Sequence, residues 1–256
     1  MPVLEAATAN LIQELHSARL ESDRLFSILK REAVYERPIP ERHRVIFYIG
    51  HLDGFDSIQI CREALGMRSP EPELDALFQA GIDPDSAHLP ADKPSDWPAL
   101  GRVEAYVDHC RTSVDKNLER APEDVVCMAV EHRQMHLETL TYMFHNLRYE
   151  MKSVPKGPHS DRSPRPEIQN EWRDIAEGEA ILGRPHDGSF GWDNEYAEVR
   201  TNVPAFQMQR YSVTNGEYLR FVNDGASMPH FWRERAGALY YAGMFHDIPL
   251  PLDWPV

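Results

Sequence analysis

The sequence has few cysteines, no long apolar run and fewer basic than acidic residues. Its three cysteines are an odd number without ligand-like spacing, which argues against a disulfide framework and against a cysteine metal site. No stretch approaches the ~18 consecutive apolar residues that a membrane-spanning helix needs. The N-terminus has no basic start followed by an apolar block, so a secretory signal is not expected. These absences predict a cytoplasmic protein with reduced thiols.

The shortage of basic residues also limits the partners. Lys and Arg number 27 against 41 Asp and Glu, and the formal net charge is -14. Such a surface repels phosphate backbones and anionic lipids, so neither nucleic acid nor a membrane is an expected partner. The hydrophobic fraction of 42% and the charged fraction of 27% are ordinary for globular proteins and exclude wholesale disorder. A length of 256 residues fits one large domain or two ordinary ones.

The composition changes near residue 152 and divides the chain into two domains. Residues 152–169 are rich in proline, serine and charge and are typical of a linker. Residues 1–151 have helical periodicity, whereas residues 170–256 combine short apolar pieces with glycines and aromatics. The predicted fold class is therefore α + (α+β), with an all-helical domain followed by strands, loops and one short helix.

Apolar periodicity predicts four long helices in the first domain. They cover residues 3–31, 41–66, 101–119 and 122–150. A short helical piece at residues 71–80 lies within a long, polar, proline-rich crossover. Four long helices with one long crossover predict a helical bundle.

Three histidines are candidate metal ligands. His132 and His136 are four residues apart and project from the same face of the fourth helix, close enough to bind one ion. His51 lies on the second helix within an apolar stripe that should face the bundle interior. A histidine directed inward beside this pair is a reasonable third ligand, and three imidazoles leave coordination positions open for catalysis.

Other interpretations of these histidines stay open. Two histidines at this spacing can also be solvated or hydrogen-bonded side chains, and imidazole suits zinc as well as iron. Glu138 and His145 lie on other faces of the helix and are excluded. If the three histidines bind a metal, binding should weaken below about pH 6.5, where free histidine protonates. We expect surface or packing roles for the other histidines: His16, His43, His88, His109, His159, His186, His230 and His246.

Both halves resemble one enzyme family. The segments RHRVIFYIGHLDGFD and EHRQMHLETL resemble the DinB-like helical domain of the sulfoxide synthases of ergothioneine and ovothiol biosynthesis. The region around the crossover is closer to the ovothiol branch or to another subgroup. The second half is similar to the opening of the formylglycine-generating-enzyme (sulfatase-modifying-factor) domain, which has a C-type-lectin-like fold. Its matching segments are IAEGEAILGR, GSFGWDNE, VPAFQMQRYSVTNGEYLRFVNDG and IPLPLDWPV.

The resemblance implies a cofactor and a reaction. Members of this family bind Fe(II) through three histidines, which correspond to His51, His132 and His136. They use O2 to join the sulfur of cysteine or γ-glutamylcysteine to a histidine-derived imidazole, and the product is a sulfoxide. The expected partners are accordingly a thiol, a histidine derivative and O2. Holding both substrates at one ion would make their coupling effectively intramolecular.

Departures from the family pattern leave two alternative functions. Met135 stands where ergothioneine synthases commonly have an amide residue, and residues 71–101 contain no arginine that could hold γ-glutamylcysteine. The lectin-like domain is expected to be incomplete at Val256, so no catalytic residue is assigned here. The alternatives are a DinB-like thiol transferase, which uses zinc or nickel, and a non-catalytic metal-binding remnant.

Overall fold

The computed structural model describes residues 2–79, 89–155 and 170–256. The chain separates into two compact units, Met1–Pro155 and Lys156–Val256. His88 and His159, most of the predicted linker and part of the predicted crossover lie outside the described residues. No helix in the described ranges is both long enough and apolar enough to cross a membrane.

The described residues of the first unit form five α-helices. They are α1 (Pro2–Phe26), α2 (Val45–Asp56), α3 (Pro72–Phe78), α4 (Leu100–Asn117) and α5 (Glu123–Asn146). A π-helical segment, Ser57–Ala64, continues α2. Short 3-10 helices cover Arg31–Tyr35, Pro94–Asp96, Leu118–Arg120 and Tyr149–Met151.

The four long predicted helices are present, but three of their boundaries were wrong. The last helix is four residues shorter at its C-terminal end than predicted. The first helix ends at Phe26 instead of residue 31, because Leu29 forms an antiparallel bridge with Lys152. This bridge uses main-chain groups that a longer helix would have needed. The second begins at Val45 instead of residue 41 and changes to π-helical hydrogen bonding after Asp56.

Helix α1 packs mainly on α5, and α2 packs mainly on α4. Apolar residues from the facing sides are fully buried, and their burial supplies most of the favourable free energy of folding. One cluster joins α1, the π-helical segment, α4 and α5. Its buried members are Leu15, Ile60, Cys61, Val114, Leu118, Ala121, Val126, Ala129 and Val130.

Two glycines let neighbouring elements approach α2 closely. A Cβ atom at Gly50 would lie 2.5 Å from the ring of Phe78, and one at Gly54 would lie 2.8 Å from the hydroxyl of Tyr106. Since the glycines are four residues apart, they form one bare strip along the helix. This strip brings α3 and α4 against the backbone of α2 and places Phe78 next to His51.

In its described residues, 170–256, the second unit contains seven short strands, one α-helix and a short 3-10 helix, Asp193–Glu195. The strands are β1 (Trp172–Ile175), β2 (Gly178–Leu182), β3 (Val199–Val203), β4 (Phe206–Gln209), β5 (Trp232–Arg235), β6 (Ala238–Ala242) and β7 (Asp247–Pro249). All ladders are antiparallel: β1 with β4, β2 with β3, and the sheet β5-β6-β7. The first two ladders share one register, so together they form a long two-stranded ribbon, which we call the 172–209 ribbon.

Helix α6 covers Asn215–Asn223. Thr214 caps it: the hydroxyl of Thr214 accepts from the Glu217 N–H, and the Glu217 carboxylate accepts from the Thr214 N–H. The Asn215 side chain is buried, donates to the Pro251 carbonyl and accepts from the indole N–H of Trp232. Phe221, on the same helix, is 58% exposed.

Replacing Gly50 by alanine should destabilise the first unit. The added methyl group would overlap the Phe78 ring, and overpacking of this kind costs about 1–3 kcal/mol. Urea unfolding at pH 7 measures the change.

Gly101→Ala is the matched control, because a Cβ atom at that helical position meets nothing within 4 Å. It should leave the free energy of unfolding unchanged or raise it by up to about 1 kcal/mol. Equal effects of the two substitutions would contradict the close contact at Gly50.

Candidate metal centre

The structure brings the three predicted histidines together. His51 on α2 and His132 and His136 on α5 are buried, and their Nε2 atoms converge. The Nε2 atom of His136 lies 3.2 Å from that of His51 and 3.1 Å from that of His132. Two helices that are far apart in sequence therefore direct three ring nitrogens at one point.

The hydrogen bond of His51 determines which nitrogen faces this point. Its Nδ1 atom lies 2.6 Å from the carbonyl oxygen of Phe78. A carbonyl oxygen only accepts, so Nδ1 carries the hydrogen and the lone pair of the neutral ring is on Nε2. Metal-binding histidines usually donate their other N–H to an oxygen in this way, which fixes both tautomer and ring orientation.

Aromatic rings hold the imidazoles in place. Phe55 stacks on His132 with ring centroids 3.6 Å apart, and Phe47 stacks on His51 at 4.8 Å. The ring of Tyr48 meets His136 edge-on at 5.8 Å. Burial raises the pKa of Tyr48 to about 12, so this tyrosine keeps its proton at neutral pH. The rings that contact the histidines thus carry no charge.

This environment keeps all three imidazoles neutral. Burial lowers the pKa of His51 to about 4, although the Phe78 carbonyl opposes the shift. Burial, together with the nearby His51, Arg133 and Arg42, lowers the pKa of His136 to about 3. The pKa of His132 is lowered by burial and by its two histidine neighbours. These low pKa values place protonation of His51 and His136 well below pH 6.5, the value for free histidine from which the pH dependence of metal binding was predicted.

A buried ion-pair network connects the helices that carry the histidines. Arg133 on α5 is fully buried; its Nη2 atom donates to Asp53 at 2.9 Å and to Asp56 at 2.6 Å, both on α2. Arg111 on α4 donates through Nε and Nη2 to Asp53 at 3.0 Å. Burial alone would raise the pKa of Asp53, but Arg133 and Arg111 hold it below its ordinary value. Because Arg133 follows His132 directly, the network fixes α5 against α2 beside the cluster.

The donor set fits one transition-metal ion. Metal–imidazole distances are about 2.0–2.1 Å, so the Nε2 atoms of His51 and His132, 3.2 and 3.1 Å from that of His136, can bind the same ion as His136, and all three ligand atoms lie within 4.8 Å of one another. In the described residues the Nδ1 atoms of His132 and His136 are buried without a hydrogen-bond partner. The set contains only neutral nitrogen ligands, which suit iron, zinc, copper and nickel.

The excluded residues lie away from the cluster. Glu138 is exposed, His145 is half-buried, and Met135 is 52% exposed. Sequence reasoning missed the Phe78 carbonyl and the Arg133 network, because neither contact leaves a spacing pattern in the chain. The other described histidines are exposed or half-buried and lie outside the cluster: His16, His43, His109, His186, His230 and His246.

Comparison with known proteins confirms the resemblance to the sulfoxide synthases. The chain is 30% identical over 224 residues to "Ergothioneine biosynthesis protein 1" of Neurospora crassa, an alignment that covers 76% of this chain and 25% of the relative. Identity to the Schizosaccharomyces pombe protein of the same name is 26%, covering 90% of this chain and 35% of the relative. "Hercynine oxygenase" of Mycolicibacterium smegmatis is 25% identical, covering 91% of this chain and 54% of the relative.

The chain thus spans between a quarter and about half of the length of these relatives. No family model matches it. The names of these relatives refer to ergothioneine biosynthesis or to hercynine, and the finer assignment to the ovothiol branch stays a prediction.

Removing Arg133 should strongly destabilise the first unit. Arg133→Met leaves Asp53 and Asp56 buried with fewer cationic partners, and breaking a buried pair in this way costs about 3–5 kcal/mol. Urea unfolding provides the measurement, and Arg24→Met, at an exposed position on α1, is the control. If Arg133→Met lowered the free energy of unfolding no more than the control does, the network would not hold α5 against α2.

The metal-free protein should lose stability as the pH falls from 7 to 4. Histidines in the unfolded chain bind protons near pH 6.5, whereas His51 in the folded protein binds one only near pH 4. Each such histidine lowers the free energy of unfolding by up to about 1.4 kcal/mol per pH unit in this window.

Urea unfolding at several pH values tests this expectation. The His51→Gln variant should show a shallower pH dependence than the parent protein. His109→Gln, at an exposed position on α4, should keep the parent slope. If the free energy of unfolding of His51→Gln depended on pH as steeply as that of the parent protein, His51 would not be buried in its neutral form.

Proposed function

Because the chain is homologous over most of its length to curated proteins of ergothioneine biosynthesis, we propose that it has a sulfoxide-synthase-like function. In this proposal His51, His132 and His136 bind Fe(II). The reaction uses O2 and joins the sulfur of cysteine or γ-glutamylcysteine to a histidine-derived imidazole. The name of the M. smegmatis relative makes hercynine the first imidazole substrate to test.

The convergence of three neutral Nε2 atoms carries this proposal. Neutral imidazoles can bind a cation without first losing a proton, and the low pKa values of His51 and His136 keep them in that form. The Phe78 carbonyl orients His51, and the ion pairs of Arg133 hold the two helices in register. When bound, Fe(II) would supply the oxygen chemistry, since three protein ligands leave positions open for substrates.

The roles of the surrounding residues follow from their positions. Phe47 and Phe55 cover the faces of two imidazoles and exclude water from the ligands. Tyr48 adds an apolar ring and a hydroxyl that stays protonated at neutral pH. Such a dry, rigid setting keeps the ligand nitrogens in place before the metal arrives.

The fold assignment is part of the same proposal. We assign the first unit to the DinB-like helical bundles and the second to the opening part of a formylglycine-generating-enzyme-like domain. The observed helices and small antiparallel sheets are compatible with both assignments. Since the chain spans only part of its relatives, activity of this chain by itself is also part of the proposal.

Metal binding is tested on protein purified anaerobically and titrated with Fe(II). The His136→Ala variant should bind iron at least about 100-fold more weakly, because two imidazoles leave the ion largely solvated. His145→Ala, on the same helix but outside the cluster, is the control and should bind like the parent protein. Unchanged iron affinity in His136→Ala would remove His136 from the site.

The reaction is tested with iron-loaded protein, O2, hercynine or histidine, and cysteine or γ-glutamylcysteine. Mass spectrometry should detect a sulfoxide product that contains both substrates, and oxygen uptake should depend on both. Tight zinc binding without oxygen uptake would favour the thiol transferase. Iron binding without any product would favour the metal-binding remnant.

A further inference from the structure

A cavity lies on the side of α2 that faces away from the histidine cluster. Its volume is about 430 Å³, and it lies between the end of α1, α2 and α4. Ile49 and Asp53 of α2 line it. His51 lies midway between them in sequence, about 200° around the helix from each, and so faces away from the cavity. The cavity is therefore separate from the histidine cluster, and we call it the α1–α4 cleft.

The floor of the α1–α4 cleft is polar but already neutralised. Arg111 donates four hydrogen bonds, two to Asp53 at 3.0 Å and two to Asp23 at 2.7 and 2.8 Å. Arg133, which also lines the cleft, pairs with Asp53 and donates to the Ser22 hydroxyl at 3.1 Å. These guanidinium groups are largely occupied, so the floor offers little attraction to a further charge.

The walls of the cleft are apolar. Five side chains from α1, the 3-10 helix after it, α2 and α4 line the cavity, and four of them are only half-buried. A bound apolar group would cover their remaining surface, and each Å² removed from water contributes about 25 cal/mol. These side chains are Phe26, Val34, Ile49, Leu100 and Val107.

The rim of the cleft carries an excess of positive charge. Lys30 and Arg31 line it, opposed by the single carboxylate of Glu104. Among the described residues, the side chains of Lys30 and Arg31 form no ion pair or hydrogen bond. The main chain of Lys30 is fixed, since its N–H donates to the Met151 carbonyl at 2.9 Å. Within the described part of the chain Lys30 and Arg31 thus form a small positive patch, which contrasts with the net charge of -14.

We propose that the α1–α4 cleft binds a small organic anion with an apolar body. The apolar body lies against the walls, and its acidic group lies at the rim near Lys30 and Arg31. A volume of about 430 Å³ accommodates a ligand of ordinary metabolite or drug size. The site does not depend on the proposed reaction, because it shares no residue with the histidine cluster.

Two fluorescent probes test the proposal on the whole chain. One is 1-anilinonaphthalene-8-sulfonate, and the other is N-phenyl-1-naphthylamine, which has the same aromatic body without the sulfonate. The parent protein should bind the sulfonate probe with measurable saturation and more tightly than the neutral probe. In the double variant Lys30→Glu, Arg31→Glu, affinity for the sulfonate probe should fall about tenfold and affinity for the neutral probe should not fall.

Controls distinguish the cleft from other apolar surfaces, including those of the second unit. Arg24→Glu, an exposed charge reversal on α1 outside the lining, should change neither affinity more than about twofold. Val107→Trp should weaken the binding of both probes, because the larger side chain fills the cleft. Leu100→Trp is the second variant if Val107→Trp does not fold. Equal binding of both probes by the parent protein, or binding insensitive to both tryptophan variants, would overturn the proposal.

Discussion

The buried contact of Arg133 with Asp53 and Asp56 sets the position of α5 relative to α2. An ion pair of this kind gains little over an apolar packing, because both partners lose their hydration. Its effect here is geometric. A guanidinium hydrogen-bonded to two carboxylates allows far fewer relative positions of the two helices than a contact between two apolar surfaces, which can slide past each other. Because Arg133 follows His132 and Asp53 lies two residues after His51, this one contact fixes the separation of the imidazoles.

Helix α2 separates two environments of opposite character. One face presents His51 to an apolar aromatic enclosure that keeps imidazoles neutral. The opposite face presents Asp53 to a group of guanidinium cations. The glycines at positions 50 and 54 add a third side, where neighbouring rings meet bare backbone. Such a helix is buried on almost every side, which explains its high content of apolar residues and its lack of a single apolar stripe.

Sequence alone located the three clustered histidines but not the groups that orient them. Spacing placed His132 and His136 on one face, and the apolar setting of His51 indicated that it points inward. The Phe78 carbonyl could not be anticipated, because main-chain groups leave no mark in a sequence and the contact joins distant elements. The end of α1 was missed for a similar reason, since the bridge of Leu29 with Lys152 is tertiary. The depressed pKa values depend on burial, which spacing does not measure.

The 172–209 ribbon has consequences for how this chain can be handled. Among the described residues, its strands pair only with each other, which leaves main-chain donors and acceptors along both outer edges. Apolar side chains such as Ile175, Phe206 and Leu182 remain largely uncovered. Open edges flanked by apolar side chains recruit strands from other molecules. We therefore expect a lysine or proline placed on an outer edge to oppose such pairing and to improve the solubility of the chain.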